Sequence, residues 1–249
     1  MRHKSVKNTA RRMRTLAALA AALLTIASAA APAEQKSDVL TAEAFDKIAR
    51  TILKNVYPYL ALQIKQDYGI TKGICVDAGA GGAYLSVELA KITDLEIKAL
   101  DIDPEAIKIA ERNILESGQG GKVKTVLADV QKMPFADASV DLVVSRGSFM
   151  FWPDKVKAFR EVWRILKPGG AALIGGGVGK LLPQDEKDLI KEKMDKGELG
   201  PPQELRVSLD QVGQILRKAG IGRFEISSDD ACLCGLWIEF RKPSASPSR

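Results

Sequence analysis

The residues best suited to chemistry lie in the stretch VDAGAGG, residues 76–82. Three glycines follow closely behind an acid that ends an apolar run. Glycine lets a backbone turn tightly and approach another molecule closely. In an open parallel sheet, the first strand-to-helix turn is a usual point of ligand contact. The stretch therefore predicts a turn whose backbone touches a bound molecule.

A dinucleotide is one molecule that such a turn could hold. Its binding pattern is GxGxxG or a close variant, in which a small last residue lets the helix pack on the strand. Counting from Gly79 and Gly81, that last position is Tyr84. The large side chain argues against a dinucleotide, so a nicotinamide-dependent reductase is the less favoured alternative.

Four stretches together indicate a different ligand. VDAGAGGAY resembles the DxGxGxG signature of the class I S-adenosylmethionine-dependent methyltransferases, with Ala83 where a third glycine is usual. ALDIDP, LADVQKMPFADASVDLVVS and RILKPGGAALI resemble the stretches that follow it in that family, in the same order. The resemblance covers about residues 40–241 and extends to small-molecule methyltransferases of the family.

The resemblance implies a role for particular residues in binding S-adenosylmethionine. Asp77 would meet the cationic amino group, and Asp101 would accept both ribose hydroxyls, for which a carboxylate has suitable geometry. Asp129 would meet the adenine amino group. The full cofactor-binding set implied in this way is Asp77, Gly79, Ala80, Gly81, Gly82, Asp101, Ile102, Asp129, Val130, Ser145 and Arg146.

The molecule that would accept the methyl group is constrained mainly by residues and motifs that the sequence lacks. The stretch SRGSFMFW, residues 145–152, contains no DPPY or NPPY and no cysteine, which argues against methylation of adenine or glutamine amino groups and of cytosine carbon. The single histidine, His3, lies near the N-terminus, so a histidine base is excluded. No group of metal ligands is visible. A small molecule that is already nucleophilic, such as a thiol, an amine or a stabilised carbanion, remains.

Several residues are candidates for the acceptor side of the site. Arg146 follows the fourth strand on the rim where substrate should approach, and the N-terminal helical segment could form a lid over it. Packing of the aromatic side chains in the core is an equally good interpretation. No catalytic base is identified, and a binding protein without catalysis is the main alternative. The further candidates are Tyr57, Tyr59, Ser148, Phe149 and Trp152.

The elements around these residues predict an α/β fold. From residue 73 onward, short apolar runs alternate with amphipathic stretches, which is typical of a parallel sheet covered on both faces. The link between GRFEISS and GLWIEFR is too short for a crossover helix, so the last strand should be antiparallel, in a hairpin at the sheet edge. The prediction is a Rossmann-like, doubly wound, seven-stranded sheet with helices on both faces.

Two predicted helices carry specific expectations. In the stretch from Asp103 onward, Asp103 should cap a helix that starts at Pro104. Its apolar face should comprise Ile107, Ala110, Ile114 and Leu115. Before the sheet, apolar residues at helical spacing predict two helices separated at Pro58.

The order of segments predicts four regions. Residues 1–33 form a signal peptide or N-terminal anchor, and residues 34–70 form a helical lid. Residues 71–241 form the methyltransferase domain, and residues 242–249 form a disordered tail, since they contain little apolar surface.

The net charge of +6 comes from the first of these regions. Residues 1–33 contain six basic residues and no acid, which leaves 31 basic and 31 acidic residues in the remainder. That balance argues against a nucleic-acid partner, and the expected assembly is a monomer or homodimer. The basic start, apolar run and small residues are typical of a signal peptide, which predicts membrane targeting and export. A cytoplasmic protein with a misassigned start is the alternative.

The three cysteines do not form a regular framework. Cys75 lies in a predicted buried strand, and Cys232 and Cys234 are one residue apart near the C-terminus. A lone CxC supplies too few ligands for zinc. Methylation of arsenic or another thiophilic element, held by these two thiolates, is a further hypothesis.

Overall fold

Seven strands form the centre of the structure, a computed structural model that describes residues 41–200, 202–228 and 235–244. Three of them contain a run of four or more consecutive buried residues, as expected for strands covered on both faces. The strands are β1 (Lys72–Ala78), β2 (Asp94–Asp101), β3 (Val123–Leu127), β4 (Val140–Arg146), β5 (Leu166–Gly175), β6 (Glu225–Ser228) and β7 (Leu236–Arg241).

The strand order creates a crevice at the carboxyl ends of the central strands. The order is β3-β2-β1-β4-β5-β7-β6, and β1 to β5 are parallel. From β1 the chain proceeds outward to β2 and β3, then returns to place β4 on the other side of β1. Connections therefore leave β1 and β4 in opposite directions, which opens a crevice between their carboxyl ends. The predicted Rossmann-like doubly wound fold is confirmed.

The last two strands confirm one expectation and refine another. β7 is antiparallel to β5, as predicted. It is also antiparallel to β6, and it lies between β5 and β6, so β6 forms the edge of the sheet. Lys242 follows β7 directly and donates from Nζ to the carbonyls of Trp163 and Leu166 at 2.9 and 2.8 Å. Lys242 therefore belongs to the folded sheet and not to a tail.

Helices cover both faces of this sheet. Four of them begin behind capping side chains, those of Thr41, Asp103, Asp154 and Ser208, which accept backbone N–H groups of the first turn. The helices are α1 (Ala42–Thr51), α2 (Val56–Tyr68), α3 (Tyr84–Ile92), α4 (Pro104–Glu116), α5 (Lys155–Ile165), α6 (Gln184–Asp195) and α7 (Leu209–Lys218).

Two expectations about helices need correction. Pro58 lies in the first turn of α2, where no intrahelical hydrogen bond requires its missing N–H. The break between α1 and α2 falls at residues 52–55 instead. In α4, Asp103 and Pro104 have the predicted roles. The buried face, however, includes Ala106, and Leu115 is 80 % exposed because it lies on the opposite side.

The core has two layers, one on each side of the sheet. One layer joins α1 to α4 and α6 to side chains of alternate strand positions such as Leu142 and Val144. The other joins α5 and α7 to the intervening positions, such as Val143. Helices α1 and α2, which we call the lid, belong to the first layer and pack on α4 and α3 respectively. Among the described residues, no helix is long and apolar enough to cross a membrane.

Candidate functional site

The glycine stretch forms the turn between β1 and α3, at the crevice. The N–H groups of Gly79 and Ala80 both donate to the carbonyl of Leu100, at 2.8 and 2.9 Å, which ties the turn to β2. Gly79 and Gly81 have φ of +73° and +52°, in the left-handed region. Ala83, in the third glycine position, has φ of +60°. An alanine there costs about 1–2 kcal/mol of strain, so the turn is held by the contacts around it.

The two glycines of the signature serve different purposes. A Cβ on Gly79 would lie 2.3 Å from Oγ and 2.4 Å from Cβ of Ser148, in the loop after β4. A Cβ on Gly81 would have no atom within 4 Å. Gly79 therefore allows two loops of the protein to meet. Gly81 leaves backbone open beside the crevice, where a ligand can approach it.

This difference predicts different effects of alanine at the two positions. Gly79→Ala should lower the free energy of unfolding by about 2–3 kcal/mol, from left-handed strain and overpacking together. Gly81→Ala should cost only about 1 kcal/mol, since it suffers the strain alone. Urea unfolding of the ligand-free protein measures both values. Equal losses would contradict the contact with Ser148 as the cause.

Asp77 lies at the end of β1 and is buried, with 2 % of its surface exposed. The Ser86 hydroxyl, on α3, donates to its Oδ2 at 2.7 Å. Burial raises the pKa of Asp77 to about 7, and the negative charge of Asp101 adds to the rise, while the hydrogen bonds from Ser86 oppose it. A positive charge placed near Asp77 would therefore stabilise the ionised form of its carboxyl group.

Asp101 ends β2 and faces the glycine turn. Its Oδ2 accepts the N–H of Gly81 at 2.8 Å, and its Oδ1 accepts the N–H of Asp103 at 3.0 Å. These bonds fix the plane of the carboxylate. Each oxygen can still accept a second hydrogen bond, so two neighbouring hydroxyls can be bound at once. The next residue, Ile102, is 65 % exposed and offers an apolar surface beside them.

Asp129 follows β3 and caps a short 3₁₀ turn, Val130–Lys132. Its carboxylate accepts the backbone N–H of Gln131 at 2.8 Å and the side-chain amide of Gln131 at 3.1 and 2.9 Å. Val130 is buried. Adenine recognition by Asp129 and Val130 stays a prediction, and Gln131 is the neighbour that orients the carboxylate.

The loop after β4 joins the two sides of the crevice through Ser148. Its hydroxyl donates to the carbonyl of Ala78 at 2.8 Å and accepts from the Trp152 indole at 3.1 Å. The buried hydroxyl of Ser145 lies 2.8 Å from it. Because the one hydrogen of Ser148 is used, Ser145 must be the donor in that pair. These contacts favour a structural role for Ser148 over contact with substrate.

The aromatic candidates have different surroundings. Phe149 and Trp152 are buried, 3 % and 5 % exposed, and their rings meet edge to face at 6.4 Å. This arrangement favours the core-packing interpretation. Tyr57 is buried in the lid, whereas Tyr59 is on the opposite face of α2 and is 37 % exposed. Of these two tyrosines, Tyr57 is therefore the one that faces the interior beneath the lid.

Arg146 is placed against the lid. Its guanidinium carbon lies 5.7 Å from the centroid of the Tyr57 ring, and that ring stacks on Tyr84 at 5.3 Å. Burial raises the pKa of Tyr57, and the charge of Arg146 opposes the rise. Tyr57 consequently keeps its hydroxyl proton at neutral pH.

The lid is attached on both sides of the crevice by residues that sequence reasoning missed. The buried carboxylate of Asp46, on α1, accepts the Tyr84 hydroxyl at 2.6 Å and pairs with Arg50 and Arg112 at 3.0 and 3.3 Å. The neighbouring Phe45 meets Phe151, after β4, edge to face at 5.8 Å. Helix α1 therefore spans from the glycine turn to the β4 loop. An acid in an amphipathic helix gives no sequence signal of such a role.

One cysteine, Cys75, lies within the described residues. Cys75 is buried, and burial raises its pKa well above the ordinary value. Within residues 41–200, 202–228 and 235–244, no three histidine, cysteine or acidic side chains are grouped as metal ligands. Cys232 and Cys234 lie outside the described residues. β7, the strand that follows them, begins beside the carboxyl end of β5, since Trp237 pairs with Gly175.

The chain is similar to a known protein family and to a solved structure. A model of the methyltransferase domain matches residues 76–174, from the glycine turn to β5. A solved structure from Methanococcus maripaludis, assigned to the S-adenosyl-L-methionine-dependent methyltransferases, has 35 % sequence identity and a TM-score of 0.71. The alignment covers 83 % of this chain and 94 % of that one.

Curated relatives match this chain over part of its length. The rice (Oryza sativa subsp. japonica) chloroplastic 2-methyl-6-phytyl-1,4-hydroquinone methyltransferase 1 is 32 % identical over 104 residues, which are 41 % of this chain and 30 % of the relative. Ajmaline N-methyltransferase of Rauvolfia serpentina is 34 % identical over 114 residues, which are 46 % and 38 % of the two chains. The match thus spans about a third of the length of these relatives.

Proposed function

Because the chain belongs to the S-adenosylmethionine-dependent methyltransferases, we propose that it transfers a methyl group to a small-molecule acceptor by direct in-line displacement. The arrangement that carries the proposal is the glycine turn facing Asp101 across the crevice. The turn presents open backbone, and the carboxylate can accept two hydroxyl groups from a ribose.

The residues present fit S-adenosylmethionine. Gly81 leaves room beside its backbone, and the exposed Ile102 can cover one face of an adenine ring. Asp77 offers a buried carboxyl whose ionised form a cationic amino group would stabilise. When bound, the cofactor supplies an electrophilic methyl group on a positively charged sulfur. Asp101 and Asp77 would bind its two ends, so the orientation of the methyl group is fixed by the protein.

The lid would exclude water and shape the acceptor side. It is joined to the segment after β5, because Asn55 donates to Glu186 at 2.5 Å and the N–H of Lys180 donates to Gln63 at 2.7 Å. A closed cover limits hydrolysis and positions the acceptor in line. The two relatives are named for different molecules, a hydroquinone and ajmaline, whereas the family model matches residues 76–174 of this chain. We therefore assign acceptor choice to the lid and to residues 176–208.

A turnover assay tests this function. The full chain would be incubated with S-adenosylmethionine and a panel containing a thiol, an aromatic amine and a hydroquinone, and S-adenosylhomocysteine would be quantified. We expect at least one acceptor to be methylated. Cofactor binding with no turnover in the panel or in a cell extract would favour a binding protein. Binding of a nicotinamide dinucleotide in place of S-adenosylhomocysteine would favour a reductase.

We also propose that residues 1–33 direct the chain for export or membrane targeting, from the basic start, the apolar run and the small residues that follow. Mass spectrometry of the N-terminus from the native host is the test. A mature protein that begins near residue 30 would support cleavage, and an intact Met1 would contradict it.

A further inference from the structure

The helices on the two faces of the sheet differ in charge. Helices α5 and α7, which pack side by side over the second core layer, contain six basic residues and two acids. The five helices over the first layer contain nine basic residues and twelve acids. Residues 34–249 contain equal numbers of both signs, so the difference arises from where the charges lie and not from composition.

Five exposed cations lie together where α7 ends beside α5. The Arg160 guanidinium donates to the carbonyl of Lys218 at 2.9 Å, which joins the outer surfaces of the two helices. Lys157 lies one turn before Arg160 on the same side of α5. The guanidinium carbon of Arg217 lies 5.9 Å from the centroid of the Phe224 ring, in the loop that follows α7. We call these side chains the basic face: Lys157, Arg160, Arg217, Lys218 and Arg223.

The cations of the basic face are not paired with acids in the part of the chain that the structure describes. Across residues 41–200, 202–228 and 235–244, none of the five forms an ion pair. Of the two acids in these helices, Glu161 pairs with Arg164 at 2.8 Å, and Asp210 lies in the first turn of α7, at the far end from Lys218. Neighbouring like charges repel each other, and a surface of opposite sign removes that cost. The partner that fits this face is therefore anionic.

Two features of the chain favour a bilayer with anionic lipids over other anionic partners. Residues 1–33 have the basic start and the apolar run of a segment that meets a membrane. The balance of charge in residues 34–249 is unlike that of a nucleic-acid binder. Each cation near an anionic bilayer strengthens binding about fivefold, so a group of five has a large combined effect.

We propose that the basic face binds the headgroups of anionic phospholipids at a bilayer surface. The lid belongs to the core layer on the opposite side of the sheet, so a bilayer bound to α5 and α7 leaves the lid clear. None of the five cations belongs to the cofactor-binding set. The proposal therefore goes beyond methyl transfer and holds or fails independently of it.

Lysine footprinting of the full wild-type chain locates the bound surface. Acetylation of each lysine would be quantified by mass spectrometry, with vesicles of phosphatidylcholine alone or of equal parts phosphatidylcholine and phosphatidylglycerol. We expect the anionic vesicles to protect Lys157 and Lys218. Lys47 on α1 and Lys191 on α6, which are also exposed, should stay reactive. Binding through residues 1–33 alone would leave all four lysines reactive, and this result overturns the proposal.

A variant of the basic face tests its share of the affinity. Lys157→Gln, Lys218→Gln and Arg223→Gln combined remove three cations and keep Arg160, which binds the end of α7. We expect this variant of the full chain to bind the anionic vesicles about 100-fold more weakly than the wild type in a sedimentation assay. Binding as tight as that of the wild type would contradict the proposal.

The matched control removes the same charge from other parts of the surface. It combines Lys47→Gln, Lys124→Gln and Lys191→Gln, all at exposed positions, and should bind the vesicles within about threefold of the wild type, because screening limits the reach of each charge. Equal weakening of both variants would show that only net charge matters, and the basic face would be rejected. Tighter binding of a DNA duplex than of vesicles by the wild type would assign the face to nucleic acid instead. Urea unfolding confirms that both variants are folded, whatever the outcome for methyl transfer.

Discussion

Asp101→Ala is expected to bind S-adenosylhomocysteine about 100-fold more weakly than the wild type. The variant loses two hydrogen bonds from ribose hydroxyls to a charged acceptor, each worth about 1.5–3 kcal/mol, so a loss of about 3 kcal/mol is a conservative sum. It also frees the N–H of Gly81, which donates to this carboxylate. Isothermal titration calorimetry of the full chain measures the effect.

Asp103→Ala is the matched control for this prediction. Asp103 lies two residues away and caps α4 by accepting the N–H of Glu105 at 2.9 Å. Loss of the cap should cost about 1 kcal/mol of stability, with little change in affinity. If Asp103→Ala weakened binding as much as Asp101→Ala, general damage to this turn would explain both results. The assignment of ribose contacts to Asp101 would then fail.

Asp77→Asn is expected to stabilise the ligand-free protein at pH 8, by roughly 4 kcal/mol at most. The folded-state pKa of about 7 lies above the ordinary value of 3.8. The folded protein therefore binds more protons than the unfolded chain between these values, and it loses stability as the pH rises from about 4 to 7. An amide in this position remains neutral and can still accept the Ser86 hydroxyl.

The pH dependence is the signature of this effect. The advantage of Asp77→Asn should grow from roughly 2 kcal/mol at pH 5 to roughly 4 kcal/mol at pH 8, as measured by urea unfolding at each pH. A variant that is less stable than the wild type at pH 8, or whose advantage is the same at both pH values, would show that burial does not penalise the ionised carboxylate.

Cofactor binding should respond to Asp77→Asn in the opposite direction. The cationic amino group of S-adenosylhomocysteine favours the ionised carboxylate, so the variant should bind this ligand at least about 10-fold more weakly. Below pH 7, binding to the wild type should release a proton, which calorimetry in buffers of different ionisation enthalpy detects. Asp77 would then be a residue whose cost to stability is offset by ligand binding.

The sequence by itself determined the features that depend on neighbouring residues. The alternation of apolar runs with amphipathic stretches predicted the parallel sheet, because each strand and helix must bury its own apolar side chains. The glycines at 79 and 81 predicted a tight turn, and their φ values lie in the left-handed region that glycine allows. Asp103 and Pro104 predicted the start of α4, since capping acts within one turn.

Tertiary structure decided the features that depend on distant residues. Ser148 and Trp152 are residue types that are typical of a substrate site. In the structure, however, the Ser148 hydroxyl forms hydrogen bonds with the carbonyl of Ala78 and the hydroxyl of Ser145. The roles of Asp46 and Arg146 follow from contacts between the lid and loops that are far from it in the sequence. No local pattern specifies such contacts, because they arise only when the sheet order brings the ends of β1 and β4 together.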